Sequence, residues 1–286
     1  MKREGDKHNF HDASPRRDRR LILAGTGISL PHSKAMQEVL AAVGRVAAKD
    51  VNVMIVGEPG SGKEWTAHRI HNLSSRAAGP FVVVDCAAFP AEALDQEIFG
   101  CESLTWNGIS VVPGPFEEAG GGTLLLNDLE ALPHAVQMKL LRAIDYRCVR
   151  RVGSEEDIPC NVRIVTTLNS DPATLVRNDI LRKELCYSIG PITIELPPLR
   201  KRPEDIPGLI ETFLADLKDR NGGSLFAFSP DATRLCKKYH WPGNVRLLRN
   251  AVEYATVMCE GKVVKPEHLP HYLTGPEEHE TDGRSF

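Results

Sequence analysis

The sequence predicts a three-layer α/β fold, a parallel sheet covered by helices on both faces, followed by a smaller helical domain. Three observations predict it. Short runs rich in Val, Ile and Leu alternate with stretches of helical periodicity from residue 33 to residue 196. A glycine-rich turn joins the first of these strands to a helix. After "LPPLRKRPEDIP" the strands stop and helices dominate.

Bulk properties narrow the class. The 286 residues are 42% hydrophobic and 26% charged, an ordinary globular balance. A formal charge of −3 gives no bulk attraction to nucleic acid. The seven cysteines stand singly with no C-x-x-C pair, which points to a reducing compartment and away from a disulfide or zinc framework. Apolar runs are far short of a membrane span. The start is charged from Lys2 onward, without a signal-peptide core. The expectation is a cytoplasmic protein with no membrane partner.

The elements follow in order. Residues 1–22 carry seven basic and four acidic residues and are expected as a solvated, disordered tail. "SKAMQEVLAAVGRVAAKD" has helical spacing with Ser33 as its cap. "VNVMIVGE" is the first strand, and the helix after its glycine turn runs through His71. "PFVVVDCAA", "GTLLLND", "NVRIVTTLN" and "ITIEL" are four further strands, separated by helical stretches such as "HAVQMKLLRAID". Alternation of this kind implies parallel strands. The α/β domain is expected over 23–200 and the helical domain over 201–273, with "GLIETFLADLKDRN", "DATRLCKKYH" and "NVRLLRNAVEYATVMCE" as its helices; 274–286 reads as a polar tail.

"GEPGSGKE" is Gly57, Glu58, Pro59, Gly60, Ser61, Gly62, Lys63 and Glu64. It fits G-x-x-x-x-G-K between a strand and a helix, the context that gives the pattern meaning. Glycines let successive backbone N–H groups converge on phosphate oxygens, and the helix N-terminus adds its dipole. Lys63 would neutralise the β- and γ-phosphates. Glu64 stands where a Ser or Thr would ligate Mg²⁺ in the general motif. "GGTLLLND" ends on Asn127 and Asp128, where nucleotide-hydrolysing folds usually carry Asp then Glu. The first has lost its charge and the second its length.

Taken together, "GEPGSGKE", "FVVVDCAAFP", "EIFG", "GPFEEAGGGTLLLND", "LPPLRKRPEDIP" and "YHWPGNVRLLRN" resemble the central AAA+ domain of sigma-54-dependent transcriptional activators, the bacterial enhancer-binding proteins. The resemblance covers about residues 25–272. Glu64 after the loop lysine is itself usual in that family, and "WPGNVR" is close to a signature. The resemblance implies a P-loop AAA+ fold with a helical lid, ATP and Mg²⁺ as cofactors, and a ring with ATP between subunits. It also implies a surface loop driven against sigma-54 RNA polymerase.

The departures fall on the working parts. The family's sigma-contacting loop reads Gly-Ala-Phe-Thr-Gly-Ala; the matching stretch here is Leu104, Thr105, Trp106, Asn107, Gly108 and Ile109, with Asn107 in the threonine's place and a flank one residue short. Asn127 and Asp128 replace the acids that hold Mg²⁺ and polarise water. The sensor segment keeps Asn169 but carries Leu168 and Ser170. Of two arginines that reach a neighbour's γ-phosphate, Arg182 remains and Ser188 replaces the other. Arg246 matches the sensor arginine of the lid.

The expectation is an ATP-binding AAA+ regulator of sigma-54-type transcription with weak or absent hydrolysis. Two other readings stay open: a non-catalytic assembly partner that inserts into or sequesters the ring of an active relative, and an active ATPase on another target with Asp128 as its base. The ring partner expected is the chain itself or a homologous AAA+ activator. The family's sensor and helix-turn-helix domains do not fit in the roughly 25 residues before and dozen after the resembling stretch, so no direct DNA-binding domain is expected in this chain. A bare module and an excised fragment fit equally. His68 and His71 have metal-compatible spacing, but no third ligand is evident and packing is expected. Trp65 is expected to pack. Arg200, Lys201 and Arg202 fit either a solvated hinge or the nucleotide's surroundings.

Overall fold

The structure, a computed structural model, describes residues 31–105, 108–190, 192–221 and 226–274. The expectations for the 1–22 tail, for Trp106 and Asn107, and for 275–286 lie outside the described residues.

Helix α1 (Lys34–Ala47) starts at Ser33, whose Oγ accepts from the Met36 N–H at 3.3 Å. The same Ser33 donates through its N–H and Oγ to Asp205, at 2.7 and 2.6 Å, which fastens the helix to the edge of the lid. Then follow β1 (Val53–Val56), α2 (Lys63–Asn72), β2 (Phe81–Asp85), α3 (Leu94–Phe99), an antiparallel hairpin of β3 (Gly100–Thr105) and β4 (Gly108–Pro113), α4 (Pro115–Glu118) and β5 (Thr123–Asn127). Next come α5 (His134–Tyr146), the short pair β6 (Cys148–Val149) and β7 (Ile158–Pro159), β8 (Arg163–Leu168), α6 (Pro172–Arg177), α7 (Lys183–Ile189) and β9 (Thr193–Glu195). The sequence marks the stretch of β3 and β4 only as a surface loop; the structure pairs it into a hairpin.

The five main strands pair in parallel in the order β2-β5-β8-β1-β9. Their side chains alternate between two cores, as a two-residue period requires. Met54, Val56, Leu124, Leu126, Ile164 and Leu168 face the helices α3, α5 and α7. Val53, Ile55, Leu125 and Val165 face α1 and α2. Leu124, Leu125 and Leu126 are fully buried, each stabilising the sheet by about 1.5–3 kcal/mol. With both faces covered, the open region lies at the carboxyl ends of the strands, where parallel α/β sheets hold ligands.

Beyond the sheet, α8 (Ile206–Asn221), β10 (Ala227–Phe228), α9 (Pro230–Lys238), α10 (Asn244–Met258), β11 (Val263–Val264) and α11 (His271–Thr274) enclose a third core around Ile206, Ile210, Trp241, Leu248 and Val252. Trp241 is completely buried and its indole donates to the Cys236 carbonyl at 2.7 Å. No described helix is long and apolar enough to cross a membrane.

Candidate nucleotide site

The loop from Gly57 to Glu64 leaves β1 and enters α2 at the carboxyl edge of the sheet. Gly60 has φ +75°, and a Cβ there would lie 2.4 Å from the Gly243 carbonyl oxygen, so only glycine allows the loop to meet the lid. Gly62 has φ +107° and caps α2, leaving the first amides of the helix directed outward. Ser61 is buried and its Oγ has no hydrogen-bond partner among the described residues. The Lys63 ammonium is held entirely by oxygens: the Gly57 carbonyl at 2.7 Å, the Glu58 carbonyl at 3.4 Å and Asn169 Oδ1 at 2.7 Å. Burial pulls the Lys63 ammonium below the ordinary lysine range; Asp128 and Glu130 oppose that shift and Arg246 adds to it.

The ends of β5 and β8 supply the other side. Asp128 takes the left-handed backbone, φ 52°, which Asp tolerates better than most residues. Its N–H donates to Thr167 Oγ1 at 3.0 Å, and that hydroxyl donates to Asn127 Oδ1 at 3.2 Å. Asn169 donates through Nδ2 to Asp128 Oδ1 at 3.0 Å while its own Oδ1 receives Lys63. The Asn169 N–H donates to Glu130 Oε1 at 2.8 Å. Lys63, Asn169 and Asp128 thus form one continuous chain. Thr167 and Glu130 were not singled out from the sequence. Their only signal is proximity in the chain to Asn169 and Asp128.

These groups line a cavity of about 470 Å³ that runs between the sheet edge and the lid. Leu209, Thr212 and Phe213 of α8 and Val245, Arg246 and Arg249 of α10 form its far wall. Glu64 and Trp65 line it too; Trp65 also packs against the core under α1, so packing describes it only in part. The three-residue basic cluster splits. Arg202 is buried on the cavity wall and donates to the Ser61 carbonyl at 2.6 Å. Arg200 makes a two-point ion pair with Glu58 at 2.8 and 2.6 Å, and Lys201 is exposed. Glu58 Oε2 also accepts from Asn244 Nδ2 at 3.1 Å; the Arg200 guanidinium above all, then Asn244, hold the Glu58 carboxyl down at about 2. The Val245 N–H donates to the Gly60 carbonyl at 2.9 Å. The phosphate loop and the lid are therefore stitched together residue by residue.

Other sequence-predicted residues stand apart. Arg182 lies outside the cavity wall, its N–H held by Gln137 Oε1 at 2.9 Å and its guanidinium 3.9 Å from Glu184. Ser188 donates to Asp145 Oδ1 at 2.7 Å. In the hairpin, Leu104 and Ile109 are strongly exposed, at 88% and 63%. His71 Nδ1 lies 2.9 Å from Thr123 Oγ1, and His68 packs on Phe81 at 4.0 Å between ring centroids. Among the described residues no group of three or more His, Cys, Asp or Glu is arranged to hold a metal.

Residues 30–195 match the model of the sigma-54 interaction domain, and residues 200–285 match that of the AAA+ ATPase lid domain. The chain is 40% identical over 244 residues to the transcriptional regulatory protein ZraR of Klebsiella oxytoca, covering 85% of this chain and 55% of that protein. It is 39% identical over 234 residues to the sigma54-dependent transcriptional activator SfnR of Pseudomonas putida, covering 82% and 64%. The crystal structure of NtrX from Brucella abortus in complex with ATP superposes with a TM-score of 0.80 at 31% identity, over 88% of this chain and 58% of that one. The chain thus spans little more than half the length of ZraR and NtrX.

Proposed function

Because the chain belongs to the sigma-54 interaction family of AAA+ proteins, we propose that it is a cytoplasmic, ATP-binding regulator of sigma-54-type transcription whose own hydrolysis is weak. The observation that carries this reading is the contrast across one cavity. On the loop side the set is complete: Lys63 and the backbone amides of the glycine turn suit phosphate oxygens. On the strand side the set is reduced to Asn127 and Asp128.

In binding, Lys63 exchanges the carbonyl and amide oxygens that hold it for phosphate oxygens, which carry charge and bond it more strongly. Arg246 adds positive charge from the lid. Phe213, Leu209 and Trp65 offer an apolar wall for a base. The oxygen-only donor set of Asn127 and Asp128 fits a hard cation. Magnesium, when bound with the nucleotide, would supply charge neutralisation between the β- and γ-phosphates. Asn127 offers a carbonyl oxygen there without charge. Asp128 is left to accept the proton of an attacking water, with a carboxylate one methylene short, on the order of 1.5 Å. A misplacement of about 1 Å costs roughly a hundredfold in rate. Asn169 already holds one of its oxygens.

Titration calorimetry tests the binding half of the reading. ATP is expected to bind in the micromolar range, about −8 kcal/mol, and Lys63→Ala to weaken it strongly. Undetectable binding by the wild-type chain would remove the basis of the reading. The hairpin that exposes Leu104 and Ile109 has apolar bulk at its end. With Asn107 in place of the family's threonine, the chain alone is not expected to open a sigma-54 promoter in a purified transcription assay.

A second reading has one observation in its favour. Ser188 cannot reach a neighbour's phosphate with charge, and its hydroxyl is engaged with Asp145 of its own chain. A subunit of this kind would serve as a non-catalytic member of a ring built with an active relative. Co-purification with such a relative distinguishes this from self-assembly.

A further inference from the structure

Position 127 has lost its acid, yet an acid stands beside it. β2 and β5 run parallel with Asp85 opposite Asn127, so neighbouring strand ends, about 4.8 Å apart, present one carboxylate and one amide at the same edge. Asp85 lines the same cavity as Lys63, Asn127 and Asp128. Its placement is fixed locally: Oδ1 accepts from the Ala87 N–H at 3.2 Å, capping the short 3₁₀ turn Cys86–Ala88.

Asp128, the residue after Asn127, lines the same cavity, and Asn169 links it to Glu130: the Asn169 side-chain amide donates to Asp128 Oδ1 at 3.0 Å and its N–H donates to Glu130 Oε1 at 2.8 Å.

We propose that Asp85 takes over the charge lost at Asn127 and serves the nucleotide-bound divalent cation, with the Asn127 carbonyl as its neutral companion. The negative charge at the strand ends has moved by one strand. This rests on the ATP-binding reading above and sharpens it: metal-linked binding is kept while turnover, which depends on Asp128, is not.

The test is calorimetry with a non-hydrolysable ATP analogue, in excess Mg²⁺ and in EDTA. The ratio of the two affinities is the metal-linked gain. Wild type is expected to show a gain. Asp85→Asn is expected to lose about tenfold or more of it, the scale of removing a group that supports a metal site. Metal-free affinity is expected to stay equal or rise, since a negative charge near the phosphates is gone; it also reports that the variant is folded. The exchange Asp85→Asn with Asn127→Asp is expected to restore the gain. Manganese in place of magnesium, read by electron paramagnetic resonance, should show the same loss and recovery in bound ion. The proposal is overturned if wild type shows no metal-linked gain. It is equally overturned if Asp85→Asn keeps the gain, if that variant loses metal-free binding as well, or if the exchange fails to restore it. Absence of binding by wild type in both conditions would instead remove the ATP-binding reading itself.

Discussion

Gly60 shows how narrowly single residues are set. Its φ of +75° and the 2.4 Å between a notional Cβ and the Gly243 carbonyl oxygen leave no room for a side chain. Gly60→Ala would combine a strained backbone with a backbone clash, so a loss of about 1–3 kcal/mol is expected. Thermal unfolding measures the loss, and weaker ATP binding should accompany it because the loop and lid separate. At this scale the sequence was most legible where chemistry is local. Lys63, the loop glycines, Asn127, Asp128 and Asn169 are all near one another at the sheet edge, as their motif positions imply. Asp85 is not legible as a site residue, because strand pairing brings it there and no spacing along the chain encodes that. Thr167 and Glu130 are marked only by lying two residues from Asn169 and Asp128. Arg202 falls in the basic cluster for which the nucleotide's surroundings are one of two expected places, and its contact with the Ser61 carbonyl decides between them. Arg182 follows from resemblance alone, and among the described residues its guanidinium lies 3.9 Å from Glu184.

Among the elements, the seam between the phosphate loop and the lid carries a strongly shifted carboxyl. Glu58 receives Arg200 and Asn244, and its carboxyl is held at about 2 against an ordinary value of 4.5. A depressed acid stabilises the fold fully above its ordinary value and loses that contribution as pH falls through the folded one. Arg200→Ala should therefore lower Tm by a constant amount above pH 4.5, with the gap to wild type narrowing toward pH 2. Both side chains are partly exposed, so added salt should shrink the gap as well. A gap independent of both pH and salt would mean that Arg200 acts by packing alone. The strands of the main sheet were readable because β-branched and leucine runs are long enough to be buried on both faces. The β3–β4 hairpin was missed because its strand β4 is exposed throughout, with no apolar alternation to mark it.

At the scale of the whole molecule, the proposed function sets a retained scaffold beside a reduced reacting centre. On that reading the complete loop, the lid contacts through Arg202, Asn244 and Val245 and the Asp85 carboxylate favour binding, while Asp128, Ser188 and Leu168 do not favour turnover. Arg182 is then the arginine left to reach a neighbouring subunit. Light scattering across a concentration series should therefore show ATP shifting the chain from small species toward a ring or partial ring, less completely than in an active relative. Equal mass with and without ATP would contradict nucleotide-linked assembly. The central claim is that the chain holds ATP and hardly turns it over. Steady-state ATPase rate, measured for wild type beside the Asn127→Asp, Asp128→Glu double variant at saturating ATP and Mg²⁺, tests it most directly. The account predicts a wild-type rate several orders of magnitude below about one per second, a rate within the usual enzyme range, and a clear rise in the double variant, still limited by Ser188 and Leu168. Wild-type hydrolysis near one per second, unchanged or lowered by the double variant, would contradict it.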